Sequence, residues 1–344
     1  MKDLLTDANF PRTGDGRVYH LGLRPGEVSN RILTVGSTSR AHIVASHLDA
    51  TPKPFVLTSE RGFLTITGRY SGVPVSIVVS NMGTPNMDFT VRELRECLSG
   101  DMLIVRLGSC GGLVPIPVGS VVVPKACVAI TRNVDFDFND PDNNDEPAYR
   151  ISKPVSADDE LHEKICEALE RAKPKGSTTT ILSGLVNASA DSFYSSQGRQ
   201  TSFPDCNAHL LDLLLSSTPG VASLEMETHH LYHLAKCWGR PKKVTTPPPP
   251  APLTAGPVEG HVLQGSASTA DVHPSERKVL AKSRLSIASL DTRIRAAAAQ
   301  LVFASRTSQD FITPEQVHEA ELWTSKVIDN PCLRRFRVYM AVSS

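Results

Sequence analysis

Three glycine-containing turns, each following a predicted strand, hold the residues of this 344-residue sequence that could bind an anion. They read VGSTSR at 35–40, SNMGTPNMD at 80–88 and RLGSCGG at 106–112. A glycine at a strand end lets backbone N–H groups approach a ligand, and a neighbouring guanidinium can clamp an anion through two hydrogen bonds. Arg40 and Arg106 are therefore candidate anion ligands. Spacing alone slightly favours another interpretation, in which Arg40 lies on the surface and Arg106 forms a salt bridge.

Apolar runs and amphipathic segments alternate along the chain and would position these turns. Strands are predicted over 31–36, 102–108, 119–130 and 178–187, a β-hairpin over 63–80, and a last apolar segment over 296–305. Helices are predicted over 88–98 with Asp88 as N-cap, over 156–172 with Ser156 as N-cap, and over 224–238. This alternation predicts an α/β fold, a single domain with a central mixed β-sheet flanked by helices. Ligands of such sheets bind at the C-terminal ends of strands.

Composition limits the classes of function. The chain has 36 basic and 36 acidic residues, so it lacks the cationic field that general nucleic-acid or membrane-surface binding needs. Its seven cysteines form no CxxC pair, which indicates reduced thiols in a cytoplasmic protein, and no apolar run reaches membrane-spanning length. Residues 1–16 have no apolar signal segment and are expected to be a flexible leader.

One segment, residues 241–292, interrupts the alternation. It holds eight of the 25 prolines and no aromatic residue, so it cannot bury enough apolar surface to offset its ordering entropy. We interpret it as a disordered Pro/Ser/Ala-rich insertion that divides the domain into residues 17–240 and 293–344. The competing interpretation is a translated intron, but the pattern resumes in frame with IRAAAAQLVFASRT.

Several short motifs occur in an order typical of one family. They are VYHLGL at 18–23, Gly36 with Arg40, SERGF at 59–63, RLGSCG at 106–111, DSFYSSQGR at 191–199, EME at 225–227 and SRT at 305–307. In order and spacing they resemble the nucleoside phosphorylase-I family, closest to the uridine phosphorylases, over nearly the whole chain outside the insertion.

The resemblance implies three adjoining subsites. Phosphate would be held by Gly36, Arg40, Arg106 and Ser109, and by Arg61 of a neighbouring subunit. Ribose would be held by Met226 and Glu227, and by His20 of the neighbour at the 5′-hydroxyl. The base would be held by Phe193, Gln197, Arg199 and Arg306. Arg106, Gln197, Arg199 and Arg306 would take part in catalysis.

These residue types suit phosphorolysis of an N-glycosidic bond. Arginines would gather phosphate under the anomeric carbon, and a carboxylate on the ribose hydroxyls would favour positive charge on the sugar. Uracil leaves as an anion that an amide and guanidinium groups can stabilise. Purine phosphorylases of this family carry an aspartate near Ser305 and Arg306, so SRT favours a pyrimidine. The sequence thus predicts conversion of uridine and phosphate to uracil and ribose 1-phosphate, in nucleotide salvage or catabolism.

Some alternatives stay open at this stage. The substrate could be a purine nucleoside or a deoxypyrimidine nucleoside, or the chain could be a catalytically inactive nucleoside-binding homologue. No organic cofactor or catalytic metal is expected, and phosphate is a co-substrate. Bacterial relatives bind an intersubunit potassium ion through a glutamate where this sequence has Gly62, which leaves that ion in doubt. The shared site implies a homodimer or a trimer of dimers.

Overall fold

One mixed sheet of eleven strands dominates the computed structural model, which describes residues 4–238 and 292–326. The strands are β1 (Leu5–Thr6), β2 (Arg12–Thr13), β3 (Arg31–Val35), β4 (Phe55–Thr58), β5 (Leu64–Tyr70), β6 (Val73–Val79), β7 (Met102–Gly112), β8 (Val121–Arg132), β9 (Tyr149–Ile151), β10 (Val155–Ser156), β11 (Ile181–Ala190), β12 (Val221–Glu225) and β13 (Ile294–Ser305). The helices are α1 (Thr38–Ala45), α2 (Thr84–Glu96), α3 (Asp159–Ala172), α4 (Leu210–Ser217), α5 (Thr228–Cys237) and α6 (Pro314–Thr324). The pair β1 and β2 forms a separate ribbon.

Five strands of the large sheet pair in a closed circuit: β7 with β12, β12 with β11, β11 with β8, β8 with β13, and β13 with β7. From β7 the sheet continues through β3, β6 and β5 to β4. The apolar runs of β3 and β7 are buried along their whole length up to Leu107, as expected for parallel strands covered on both faces. The parallel neighbours β3, β7 and β13 therefore end close together, with the residues that follow them at one edge.

Helices cover both faces of this sheet. α2 packs beside α5, α3 lies against β8 and β13, and α1 contacts β6 and α6. The predicted fold class, an α/β domain with a central mixed sheet and flanking helices, is confirmed. No helix in the described part of the chain is both long enough and apolar enough to cross a membrane.

Two predicted helix starts are wrong. α2 begins at Thr84, four residues before the predicted Asp88, because Pro85 fits the first turn of a helix, where no N–H partner is needed. The Asp88 carboxylate instead accepts hydrogen bonds from Arg92 and His230. α3 is capped by Asp158, which accepts from the Leu161 N–H, whereas the predicted cap Ser156 lies in β10.

Two further segments differ in type from the prediction. Residues 224–238 are not one helix: Leu224 and Glu225 end strand β12, and α5 begins at Thr228. The SCGG segment at 109–112 is not a turn but the last part of β7, paired with β12 and β13. Tertiary pairing with strands distant in sequence overrides local propensity at both places.

The amino-terminal segment also differs from the loose leader expected. From residue 4 it is ordered on the domain: β1 pairs with β2, and the buried Arg12 side chain donates to Glu96 of α2 at 3.0 Å. The insertion predicted over 241–292 lies outside the described residues except for Thr292, and its boundaries stay a prediction.

Candidate active site

A cavity of about 510 Å³ opens at the C-terminal ends of β3, β7, β11, β12 and β13. Its volume is in the range of small-molecule sites. Nine predicted residues line it: Gly36, Arg40, Arg106, Ser109, Phe193, Gln197, Arg199, Met226 and Glu227. The fold thus brings the predicted phosphate, ribose and base residues of one chain, except Arg306, around a single space.

Arg40 lies in the first turn of α1, which follows Gly36 and the end of β3, and it lines the cavity. Ser37 caps this helix, so the helix N-terminus adds partial positive charge beside the guanidinium. Arg40 Nε donates to Glu321 Oε1 of α6 at 2.8 Å, and Nη1 donates to the Leu107 carbonyl at 3.1 Å. Burial lowers the pKa of Arg40, with Glu321 acting in the opposite direction. The clamp holds a cation in one orientation at the cavity wall.

Arg106 lies buried on β7 between two carboxylates. Nη2 donates to Glu227 Oε2 at 2.5 Å, Nη1 donates to Ser80 Oγ at 3.1 Å, and Nε is 3.7 Å from Glu225 Oε2. Gly108 makes room for this group, because a Cβ there would lie 3.3 Å from Arg106 Nε. Arg106 is therefore a salt-bridged residue, as its spacing suggested, and a cavity residue, as the resemblance implied.

The pKa values of the two carboxylates beside Arg106 shift in opposite directions. Burial raises the pKa of Glu225, but the Arg106 charge and hydrogen bonds from Ser189 and Asn187 outweigh it, so the net shift is downward. Burial raises the pKa of Glu227 to about 7 against the opposing charge of Arg106. The environment of Glu225, which also accepts the N–H groups opening α5, therefore favours its anion, whereas Glu227 is the more easily protonated of the two.

Phe193, Gln197 and Arg199 share a tight loop after β11 that contains a 3-10 helix, Ser195–Gln197. The Arg199 guanidinium stacks on the Phe193 ring at 4.2 Å from its centroid, and Nε donates to the Phe193 carbonyl at 3.0 Å. Burial lowers the pKa of Arg199, and the charge of Arg306 adds to that effect. The loop therefore presents an amide and a guanidinium on an aromatic support.

Arg306 lies behind this loop and does not line the cavity directly. Its Nη2 donates to the Gly198 carbonyl at 3.3 Å, and its buried Nη1 has no partner in the described part of the chain. Burial lowers the pKa of Arg306. An unsatisfied buried donor is costly, so this nitrogen is suited to a water or ligand oxygen.

His20 and Arg61 do not line the cavity of their own chain. The exposed Arg61 donates a hydrogen bond to the Tyr19 hydroxyl, with its guanidinium 4.6 Å from the Tyr19 ring centroid. His20 also adjoins Tyr19, with ring centroids 4.9 Å apart. The two residues predicted to act in a neighbouring subunit thus lie together in a second cluster on the chain.

Four residues that position the site were not predicted from the sequence. Ser80 and Gly83 hold Arg106 and Glu227, and both lie in the 80–88 segment whose glycine was noted. Asn207 pins the base loop by donating to the Ser195 and Arg199 carbonyls at 2.8 and 3.0 Å. Glu321 had no signal in the sequence, because it meets Arg40 only through the packing of α1 on α6.

The cavity can therefore accept a ligand with three chemical parts. Arg40, Arg106 and the α1 N-terminus suit an anion, and Glu227 suits a pair of hydroxyl groups. The Gln197 amide and the Arg199 guanidinium suit a carbonyl-bearing ring. Within residues 4–238 and 292–326, no group of three or more His, Cys, Asp or Glu side chains could hold a metal ion.

Comparisons with known proteins find relatives among the nucleoside phosphorylases. A uridine phosphorylase of Thermococcus kodakarensis is 29% identical over 243 residues, which are 70% of this chain and 79% of that protein. A DeoD-type purine nucleoside phosphorylase of Roseobacter denitrificans is 30% identical over 219 residues, 63% of this chain and 80% of that protein.

Solved structures extend the similarity. A structure from a study of two uridine phosphorylases of the oomycete Phytophthora capsici superimposes with a TM-score of 0.74 at 34% identity, covering 95% of this chain and 98% of that one. A Trypanosoma brucei nucleoside phosphorylase shares the fold, with a TM-score of 0.64 at 18% identity.

The sequence model of one family, described as the phosphorylase superfamily, matches residues 30–241, more than half of the chain. The resemblance inferred from the short motifs is confirmed. The chain belongs to the phosphorylase superfamily.

Proposed function

We propose that this enzyme cleaves uridine by phosphorolysis, forming uracil and ribose 1-phosphate. One observation carries the proposal: a single cavity is lined by Arg40 and Arg106, by Glu227, and by Gln197 and Arg199 of the loop after β11. These are the kinds of group that phosphate, ribose hydroxyls and a pyrimidine edge require. The 34% identity to a chain from the study of P. capsici uridine phosphorylases supports the pyrimidine assignment.

The reaction forms one bond at the anomeric carbon and breaks another. A phosphate oxygen attacks that carbon while its bond to the base nitrogen breaks, and the electron pair leaves with uracil. Arg40 and Arg106 hold the phosphate, and Glu227 accepts hydrogen bonds from the ribose hydroxyls. Gln197 and Arg199, supported by Arg306, stabilise the negative charge on the departing base.

The charges within one chain support a site shared between subunits. Arg40 is paired with Glu321, and Arg106 is paired with Glu225 and Glu227. A phosphate dianion therefore meets arginines whose charge is already offset. A further cation from a second copy would restore the balance, and we assign this role to Arg61, with His20 reaching the ribose. The working unit is then a homodimer or a trimer of dimers.

A purine nucleoside is the second candidate substrate, because several relatives 28–30% identical are DeoD-type purine nucleoside phosphorylases. Ser305 argues against it, since its hydroxyl contacts Thr307 at 3.0 Å where purine phosphorylases would carry an aspartate. A serine cannot protonate a leaving purine.

The decisive assay measures base release from uridine, thymidine and inosine, each with and without phosphate. We expect phosphate-dependent release of uracil from uridine, with inosine at least tenfold slower. Cleavage of inosine without cleavage of uridine would refute the base assignment. No cleavage of any nucleoside by the folded protein would refute the enzymatic proposal and favour a nucleoside-binding homologue.

Arg106→Lys tests the phosphate site. Lysine keeps a positive charge between Glu225 and Glu227 but loses the planar fork that grips an anion. We expect kcat/KM for phosphate to fall by about 100-fold. Arg92→Lys, on the exposed face of α2, is the matched control and should leave this value unchanged. Undiminished phosphate affinity in Arg106→Lys would contradict the assignment.

A further inference from the structure

The His20 imidazole is held on several sides, although it lies outside the cavity of its own chain. Its ring stacks on Phe89 of α2, with centroids 3.8 Å apart and planes 6° from parallel. Its Nδ1 lies 2.6 Å from Glu93 Oε1, one helical turn further along α2. Both the plane of the His20 ring and one of its ring nitrogens are therefore fixed by α2.

Glu93 is fully engaged in holding this segment. Its buried carboxylate accepts the His20 N–H at 2.9 Å and the Leu21 N–H at 2.7 Å, in addition to the contact with the ring. An ionised carboxylate only accepts hydrogen bonds, so the ring nitrogen facing it carries the proton. On a neutral imidazole this arrangement leaves Nε2 as the acceptor. Nε2 has no hydrogen-bond partner in the described part of the chain.

We infer that Glu93 is a positioning residue that fixes His20 as the Nδ1–H tautomer and presents Nε2 as an acceptor to the 5′-hydroxyl of a nucleoside bound by a second copy. The inference rests on the proposed function, because only a bound nucleoside would bring a 5′-hydroxyl to the Nε2 atom of His20. Its consequence is selectivity: the protein prefers nucleosides that carry a 5′-hydroxyl over those that lack it.

A purely structural role for Glu93 makes a different prediction. Glu93 ties residues 20 and 21 to α2, and loosening that tie would weaken every substrate alike. A positioning role acts through one hydrogen bond to one hydroxyl. It is therefore visible only as a change in the ratio between two substrates that differ in that hydroxyl.

The experiment compares kcat/KM for uridine and 5′-deoxyuridine in the full-length wild type, Glu93→Gln and Arg92→Gln. We expect the wild type to prefer uridine about tenfold, the effect of one hydrogen bond. Glutamine is nearly isosteric but offers one acceptor oxygen in place of two, so the ring is released to the other tautomer. The preference should then fall to about twofold, with 5′-deoxyuridine cleaved at nearly the wild-type rate. Arg92→Gln, one residue away on α2, should keep the tenfold preference.

A second measurement reads the tautomer without any reaction. In protein labelled with 15N-histidine, the His20 signals are identified by their loss in His20→Asn. We expect the wild type to show a protonated Nδ1 and an unprotonated Nε2, and Glu93→Gln to lose this pattern. The thermal unfolding midpoint of each variant verifies folding.

The outcomes separate the inference from the proposed function. Equal losses for both nucleosides in Glu93→Gln, with the preference intact, would overturn the positioning role. A proton on Nε2 in the wild type would overturn it as well. An inactive wild type that nevertheless shows the Nδ1–H tautomer, lost in Glu93→Gln, would refute uridine phosphorolysis while supporting the positioning by Glu93.

Discussion

Replacing Glu227 by glutamine tests the charge arrangement at the centre of the cavity. Burial raises the pKa of this carboxyl from 4.5 to about 7, although Arg106 donates to it at 2.5 Å. A group whose pKa is higher in the folded state binds more protons there than in the unfolded chain. Its contribution to stability is therefore fully present below pH 4.5 and is lost as the pH rises through 7.

The magnitude follows from the size of the shift. At 1.36 kcal/mol per unit, a carboxyl moved from 4.5 to about 7 contributes about 3 kcal/mol at low pH. Most of this contribution is lost between pH 5 and pH 8. Burial also lowers the pKa of His229 to about 4, which makes stability rise with pH over part of the same range. Since wild type and variant share His229, only the difference between them reports on Glu227.

The assay is urea unfolding followed by tryptophan fluorescence in phosphate-free buffer from pH 5 to pH 8. Between pH 5 and pH 8 the stability difference between Glu227→Gln and the wild type should shift in favour of the variant by about 2–3 kcal/mol. Glu167→Gln, which removes a surface carboxylate paired with Lys164, should follow the wild-type curve. Parallel curves for wild type and Glu227→Gln, or a difference of opposite sign, would show that the pKa of Glu227 is not raised in the folded protein.

Two further substitutions test the base loop and the core. Gly198→Ala forces a side chain onto a residue at φ +64°, with its Cβ 3.0 Å from Leu211 Cγ. It should raise KM for uridine several-fold and leave KM for phosphate unchanged, and steady-state kinetics with each substrate varied decide this. Ile104→Ala empties a fully buried position on β7 and should lower the free energy of unfolding by about 2–5 kcal/mol, measured by urea titration. A loss below about 1 kcal/mol would contradict the central place of β7 in the core.

The predictions that the structure confirms concern local pattern. The apolar runs at 31–35 and 102–107 identify buried parallel strands, and the hairpin at 64–79 follows from its alternation and its Ser-Gly turn. In an α/β chain, a short continuous run of branched apolar residues is typical of a parallel strand that helices cover on both faces. The wrong predictions of secondary structure occur where pairing with a strand distant in sequence sets the local conformation. Leu224 is an example: it was predicted to be helical, but it lies in β12 and pairs with β11 and β7.

The family and nine of the residues that line the cavity could be predicted from the sequence, because they belong to short motifs at strand ends and in the turns that follow them. How those side chains are charged and held depends on contacts that form only in the folded chain. Arg40 meets Glu321 across 281 positions, and Arg106 lies between Glu225 and Glu227. The physical reason is that a pKa and a side-chain orientation depend on burial and on the nearest charges, which distant segments supply only once the chain has folded.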